Sequence, residues 1–213
     1  MASSAGSPYG DPATRRRILD AAWELVEERG AAVRVADVAA RADVSRQAVY
    51  LHCGDRTGLL LALVAYMDER VGVGDLLAPV FEVATAVEAL DRLVVALAAA
   101  APRIDAVARV LEGAREQDVA LRAAFRNRMA RRHATHRAVV QRLDDEGRLA
   151  DGWTVDAAAD LFHAIAMPAT WRELTHEHGW SQQDYVSHLT RLLQDSFVTA
   201  AHDDPKHAPN DRG

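Results

Sequence analysis

Residues 34–60 constrain this chain more than any other stretch. Val35, Val38 and Ala39 stand at i, i+3 and i+4, which makes one apolar helical face. Ala42-Asp43-Val44 interrupts that face, and aspartate tolerates the left-handed backbone of a tight turn better than most residues. Ser45 follows at the position of a helix N-cap, where its hydroxyl can accept from the amides of the next turn. Ala48, Val49 and Leu51 are expected on the buried side of the second helix, leaving Arg46, Gln47, Tyr50 and His52 outside. Two short helices so joined form a helix–turn–helix, whose second helix can lie in a DNA major groove. Arginine pairs bidentately with guanine and glutamine with adenine, which makes Arg46 and Gln47 the expected base readers. Ser45, Tyr50 and His52 are of the types that reach phosphates.

The remainder keeps the helical period and shows no strand alternation, so the expected class is all-α with about nine helices. Asp11-Pro12 reads as a cap followed by proline at the first helical position. Ile18, Ala22, Leu25 and Val26 form the inner face of that helix, and Gly30 ends it. A fourth helix is predicted from Thr57 to Val71, broken by Gly72-Val73-Gly74. Later helices are predicted over residues 85–100 (closed by Pro102), 103–113, 117–145, 154–176 and 181–200. The expected organisation is a disordered tail over 1–10, a three-helix DNA-binding domain over 11–56, a helical effector-binding and dimerisation domain over 57–202, and a polar tail over 203–213.

Composition narrows the class. A length of 213 residues, 49% of them hydrophobic, suits one or two domains with a real core. No apolar run approaches the ~18 residues of a membrane span, and the first ten residues lack the charged and apolar regions of a signal peptide. A single cysteine excludes an intrachain disulfide framework and fits a reducing compartment, so a cytoplasmic location is expected. The net charge of -6 does not by itself point to nucleic acid, and residues 11–60 hold eight arginines against eight acids. Distribution matters more than the sum: Arg15, Arg16 and Arg17 open the first helix and can form a phosphate-contacting arm. Asp20, Glu24, Glu27 and Glu28 are expected to face solvent.

The register of Arg34-Val35-Ala36-Asp37-Val38-Ala39, Ala42-Asp43-Val44-Ser45, Val49-Tyr50-Leu51-His52-Cys53, Arg56 and Leu59-Leu60 resembles the tetracycline-repressor (TetR) family of bacterial transcriptional regulators. The chain departs from the usual pattern at four places. Arg34 stands in place of threonine, Asp43 in place of the turn glycine, Cys53 in place of phenylalanine and Arg56 in place of lysine. The resemblance implies phosphate contacts at Arg34 and Arg56. It also implies a larger C-terminal domain that binds a small molecule and pairs two subunits through its last two helices.

In that second half, Leu121, Phe125, Met129, His136, Val140 and Leu143 share one helical face, with His136 inside the apolar stripe. Phe162 and His163 are neighbours in the eighth helix, and Pro168 is expected to bend it beside Met167 and Trp171. Phe125, Met129, His136, Phe162, His163, Met167 and Trp171 are the candidate ligand residues of an apolar pocket with a histidine as its polar handle. The plainer reading keeps each of them as a core side chain. Tyr185, Leu189, Leu192, Leu193 and Phe197, beside Leu161 and Ile165, are expected to build a dimeric four-helix interface, with packing inside one subunit as the alternative.

His133 and His136, or His176 and His178, lack the carboxylate and thiolate partners of a metal site, and neither metal nor cofactor is expected. Cys53 would need a lowered pKa to act as a redox switch. No nucleophile elbow, phosphate-binding glycine loop or carboxylate pair is visible, so an enzyme is not expected. The expected function is a homodimeric repressor on a palindromic operator, released by a small-molecule effector. The alternative is a regulator without such a ligand, controlled by abundance or a protein partner, or acting as an activator.

Overall fold

The computed structural model describes residues 11–199; the two predicted tails, 1–10 and 203–213, and residues 200–202 at the end of the predicted C-terminal domain lie outside the described residues. The described residues form ten α-helices: α1 Pro12–Arg29, α2 Val35–Arg41, α3 Arg46–Cys53, α4 Arg56–Val71, α5 Val73–Phe81, α6 Ala86–Ala114, α7 Val119–Asp145, α8 Val155–Ile165, α9 Pro168–Arg172 and α10 Gln182–Phe197. No strand occurs among the described residues; a single antiparallel bridge joins Leu149 and Val198. Asp11 caps α1 through the amides of Ala13 and Thr14, and Ile18, Ala22, Leu25 and Val26 are buried as the period demands.

Three boundaries depart from expectation, each for a local reason. Gly72 takes a left-handed conformation (φ 64°) that closes α4, and α5 begins at the next residue, where the glycines alone had signalled only a break. Pro102 does not end a helix: α6 runs through it for 29 residues. A proline removes the bond to the carbonyl four residues back, here that of Ala98, and the Gln182 side-chain amide donates to this carbonyl from α10. Pro168, by contrast, begins a new helix. Ala166 closes α8, Met167 is extended, and the chain re-enters as α9 and a π-helical turn over Glu173–Glu177.

Two cores result. The first gathers α1–α4 with the second half of α6 (Ile104, Val107, Val110, Leu111) and Leu121 of α7. The second gathers the first half of α6 (Leu90, Leu93, Val94, Leu97) with α7, α8 and α10 (Val140, Phe162, Tyr185, Phe197). α6 is the shared spine of both. α8 packs on α7 and α10 packs on α6, and both helices contribute to the second core.

Candidate nucleic-acid interface and effector cavity

The turn between α2 and α3 is closed by backbone bonds from Ala42 to Val38 (2.9 Å) and from Val44 to Ala39 (3.0 Å). Asp43 sits between them with φ 52°, the only non-glycine residue of positive φ among those described, as the turn required. Ser45 caps α3 by accepting from the Ala48 amide at 3.1 Å. Val49 and Cys53 anchor the helix in the first core. α2 is held to α1 by Arg41, which pairs bidentately with Glu28 (2.9 and 2.8 Å) and with Glu24 at 3.1 Å. Glu24 and Glu28 are thus exposed yet engaged. Asp20, expected in solvent, accepts from Tyr66 (2.6 Å) and Arg70 (2.7 Å) on α4.

Ser45, Arg46, Gln47 and Tyr50 lie on the outer face of α3, and Arg34 is exposed at the start of α2. Arg34 and Arg46 make no ion pair among the described residues, so their charges face outward uncompensated. Leu51 corrects the sequence reading: it is 68% exposed. It lies two residues, about 200° of helix, from the buried Val49, so it falls on the face opposite the core. His52 is half-buried, its Nδ1 enclosed without a partner. The Arg56 guanidinium donates to the Ala31 carbonyl at 3.1 Å, holding the start of α4 against the end of α1. Arg15 also leaves the expected basic arm, because its guanidinium donates to the His52 carbonyl and lies 3.8 Å from Cys53 Sγ. Cys53 is buried, and burial pushes its thiol above the ordinary value despite Arg15, the opposite of what a redox switch needs.

The second site is a cavity of about 300 Å³ where the two cores meet. Met67 of α4, Leu76 and Leu77 of α5, Leu97 and Ile104 of α6 and Phe125 of α7 give it a mainly apolar wall. Of the predicted ligand residues, Phe125, Met129 and His136 line it, whereas Phe162, His163, Met167 and Trp171 do not. Phe162 is fully buried behind the wall and stacks on His136 at 4.4 Å between centroids. His163 reaches His136 through a 3.3 Å contact of their Nδ1 atoms. Trp171 is buried with its indole N–H on Gln182 Oε1 at 3.2 Å. Pro168 itself lines the cavity, while Phe162 and Trp171 turn into the second core. Burial, then the Arg132 charge, hold the His136 imidazole neutral, with its pKa lowered to about 2.

Asp68 of α4 and Arg128 of α7 also line the cavity, and the guanidinium pairs bidentately with the carboxylate (2.9 Å for Nη1). At the start of the same two helices, Thr57 donates to Asp118, which caps α7 through the amides of Ala120 (2.9 Å) and Leu121 (3.1 Å). The Thr57 bond, then those amides, hold the Asp118 carboxyl below its usual range. Such ties between helices were invisible in the sequence, because each partner alone reads as an ordinary surface residue.

The expected dimer face is largely spent inside the subunit. Tyr185, Leu189, Leu193 and Phe197 are buried in the second core. Leu161 (40%) and Leu192 (51%) stay exposed, and Ile165 is half-buried. α6 packs against α10 and takes up this part of its apolar stripe.

The sequence family described as bacterial regulatory proteins, tetR family, matches over residues 18–63, the segment from α1 to α4 that carries the helix–turn–helix. A search of curated protein sequences returned no match. Among solved structures, a Saccharomonospora viridis protein assigned as a transcriptional regulator, in complex with choline, is 21% identical with a TM-score of 0.78, covering 89% of this chain and 100% of its own. A Rhodococcus protein assigned to the TetR family is 22% identical with a TM-score of 0.72, over 86% of this chain and 98% of that one. SmeT, repressor of a Stenotrophomonas maltophilia multidrug efflux pump, is 19% identical with a TM-score of 0.65, over 94% and 96%. These likenesses show that the described chain shares the fold of those proteins. No helix among the described residues is long and apolar enough to cross a membrane.

Proposed function

We propose that this regulator binds a two-fold symmetric operator as a homodimer and releases it when a small molecule fills the cavity between the two cores. The observation that carries the reading is the placement of that cavity. It is walled by α4 and α7, and α4 begins three residues after the end of the recognition helix α3. An effector that binds one arrangement of α4 and α7 better than another shifts the setting of α3 by that difference in affinity. The comparison structures complexed with choline and with triclosan support small-molecule binding in this fold. The cavity favours this reading over regulation by abundance or by a protein partner.

On α3, Arg46 and Gln47 read base edges, while Arg34, Ser45, Tyr50, His52 and Arg56 set the register on phosphates. Leu51, exposed on the same helix, joins the base readers through contact with a thymine methyl. Leu161, Ile165 and Leu192 supply the apolar part of the dimer contact from the outward faces of α8 and α10. A two-fold dimer sets its recognition helices about 34 Å apart, one turn of DNA. DNA selected from a random pool by the immobilised protein should converge on an inverted repeat with half-sites one turn apart. Enrichment of no sequence over the starting pool refutes the operator reading, and a monomer in solution refutes the symmetry. Activity on DNA places the protein in the compartment that holds the chromosome.

A further inference from the structure

Three arginines and two carboxylates line the cavity: Arg128, Arg131, Arg132, Asp68 and Glu112. Both carboxylates are already engaged, Asp68 by Arg128 at 2.9 Å and Glu112 by Arg172 at 3.4 Å. Arg131 is exposed. Arg132 is different. It has no carboxylate within ion-pair distance among the described residues, its Nη2 donates to the Ala166 carbonyl, and its Nε is enclosed without any acceptor. Beside it His136 is fully buried, and its Nε2 also lacks a partner. The imidazole is neutral, so it presents one polar nitrogen and no second charge.

An enclosed guanidinium that faces a backbone carbonyl alone is incompletely compensated, because burying a charge is costly unless it is paired. We propose that the effector of this cavity is an anionic amphiphile, an apolar body carrying one carboxylate that pairs with Arg132. This rests on the effector reading above and deepens it. Leu97, Ile104, Val107, Phe125 and Met129 receive the apolar body. Arg132 supplies the bidentate geometry that a carboxylate fits, and His136, in the tautomer that donates from Nε2, adds a neutral donor. A quaternary ammonium of the same shape meets an unbalanced cation and is rejected. The Ala166 carbonyl now held by Arg132 closes α8 at its break. A carboxylate that draws the guanidinium inward therefore also loosens the end of α8, on whose outward face Leu161 lies.

The test is isothermal titration of the full chain with three probes that share a ten-carbon tail: decanoate, decanol and decyltrimethylammonium, each below its micellar concentration. Decanoate should bind about ten- to a hundredfold more tightly than either other probe, the range of one charge-assisted hydrogen-bonded contact. Arg132→Gln should bring decanoate down to the level of decanol, and Arg132→Lys should keep the order, with the helical circular-dichroism signal confirming that both fold. Decyltrimethylammonium or decanol binding as tightly as decanoate overturns the proposal, as does undiminished decanoate affinity in Arg132→Gln or a lack of binding by all three. Leu97→Trp, which fills the cavity, separates the two readings. If it abolishes binding of every tail while the charge order is flat, only the anion proposal fails. If decanoate binds it unchanged, the cavity is not the binding site and the effector reading fails as well.

Discussion

Asp105 is the strongest single point at which to test how the second core is assembled. It is 6% exposed in the middle of α6, and it accepts from Arg172 of α9 at 2.7 Å and from Arg109 at 3.2 Å. Asp105→Ala leaves Arg172 with Glu112 alone, at 3.4 Å. Removing one partner of a buried pair costs about 3–5 kcal/mol. Here the guanidinium of Arg172 stays partly hydrated, with its side chain 22% exposed, and it keeps one carboxylate. We therefore expect a loss of about 2–3 kcal/mol, placed below that range because solvent screens the surviving charge. For a chain of this size that lowers Tm by roughly 4–12 °C. Urea unfolding at pH 7 and one fixed protein concentration reads it directly. Asp105→Leu combined with Arg172→Met should recover most of the loss, because an apolar pair carries no desolvation penalty. If Asp105→Ala unfolds within about 0.5 kcal/mol of the native chain, the size of a neutral surface change, the pair is not a structural tie and the reasoning fails.

Tyr50→Ala should weaken binding to all DNA sequences in equal proportion, while Gln47→Ala should relax the order of preference among operator variants; anisotropy titrations against a variant set distinguish them. Leu51→Ala should cost discrimination at a thymine position with stability unchanged within about 0.5 kcal/mol, since an exposed side chain leaves no cavity. Stability should fall as pH drops below about 6.5. His136 stays neutral when folded and binds a proton when unfolded, so the unfolded state takes up more protons over that window. His163 is depressed in the same direction by burial. The carboxyls of Asp118 and Glu146, held low, lose their stabilisation only nearer pH 4. His136→Phe should flatten the curve between pH 6.5 and 5 in equilibrium unfolding, and an unchanged slope removes His136 from the account. Arg128→Met should leave operator affinity within about threefold while blunting effector-induced release; intact release in that variant excludes the Asp68 tie from the coupling.

The helix–turn–helix was legible because its determinants are local. The Asp43 turn, the Ser45 cap and the Val38 and Val49 anchors each depend on neighbours within a few residues. The structure departs from the sequence reading where a distant residue decides the outcome. Pro102 reads as a stop until Gln182, eighty residues away in sequence, supplies the donor that its ring removed. Tyr185, Leu193 and Phe197 read as a surface for a second subunit until α6 is found against them. His136 is legible as a polar residue in an apolar stripe, but nothing in the sequence marks Arg132, one turn away. Only the geometry shows that it lacks a carboxylate partner. Leu51 was a misjudged period, since the buried set of α3 steps by four from Val49 to Cys53 and passes it by.

The two ties between α4 and α7 bear on how a change at the cavity can reach DNA. Thr57 and Asp68 lie eleven residues apart on α4, and Asp118 and Arg128 lie ten apart on α7. At about 1.5 Å per residue the two intervals, roughly 16 and 15 Å, match. Both advance in the same chain direction, so the helices run side by side in parallel and are pinned at two levels. The Asp68–Arg128 level lies on the cavity wall, and the Thr57–Asp118 level lies beside the end of α3. A pair pinned at one level could pivot there without moving the far end. Pinned at two, any rotation of α7 about the cavity must carry α4 with it or break an ion pair whose two side chains are largely withdrawn from water. α3 follows α4 because only Gly54 and Asp55 separate them, and Asp55 is itself fixed as the α4 cap on the Gly58 amide. Arg15 grips the other side of the junction through the His52 carbonyl. The recognition helix is therefore attached to the cavity through a short and stiff connection, and a shift of an ångström or two at Asp68 has no flexible linker in which to dissipate.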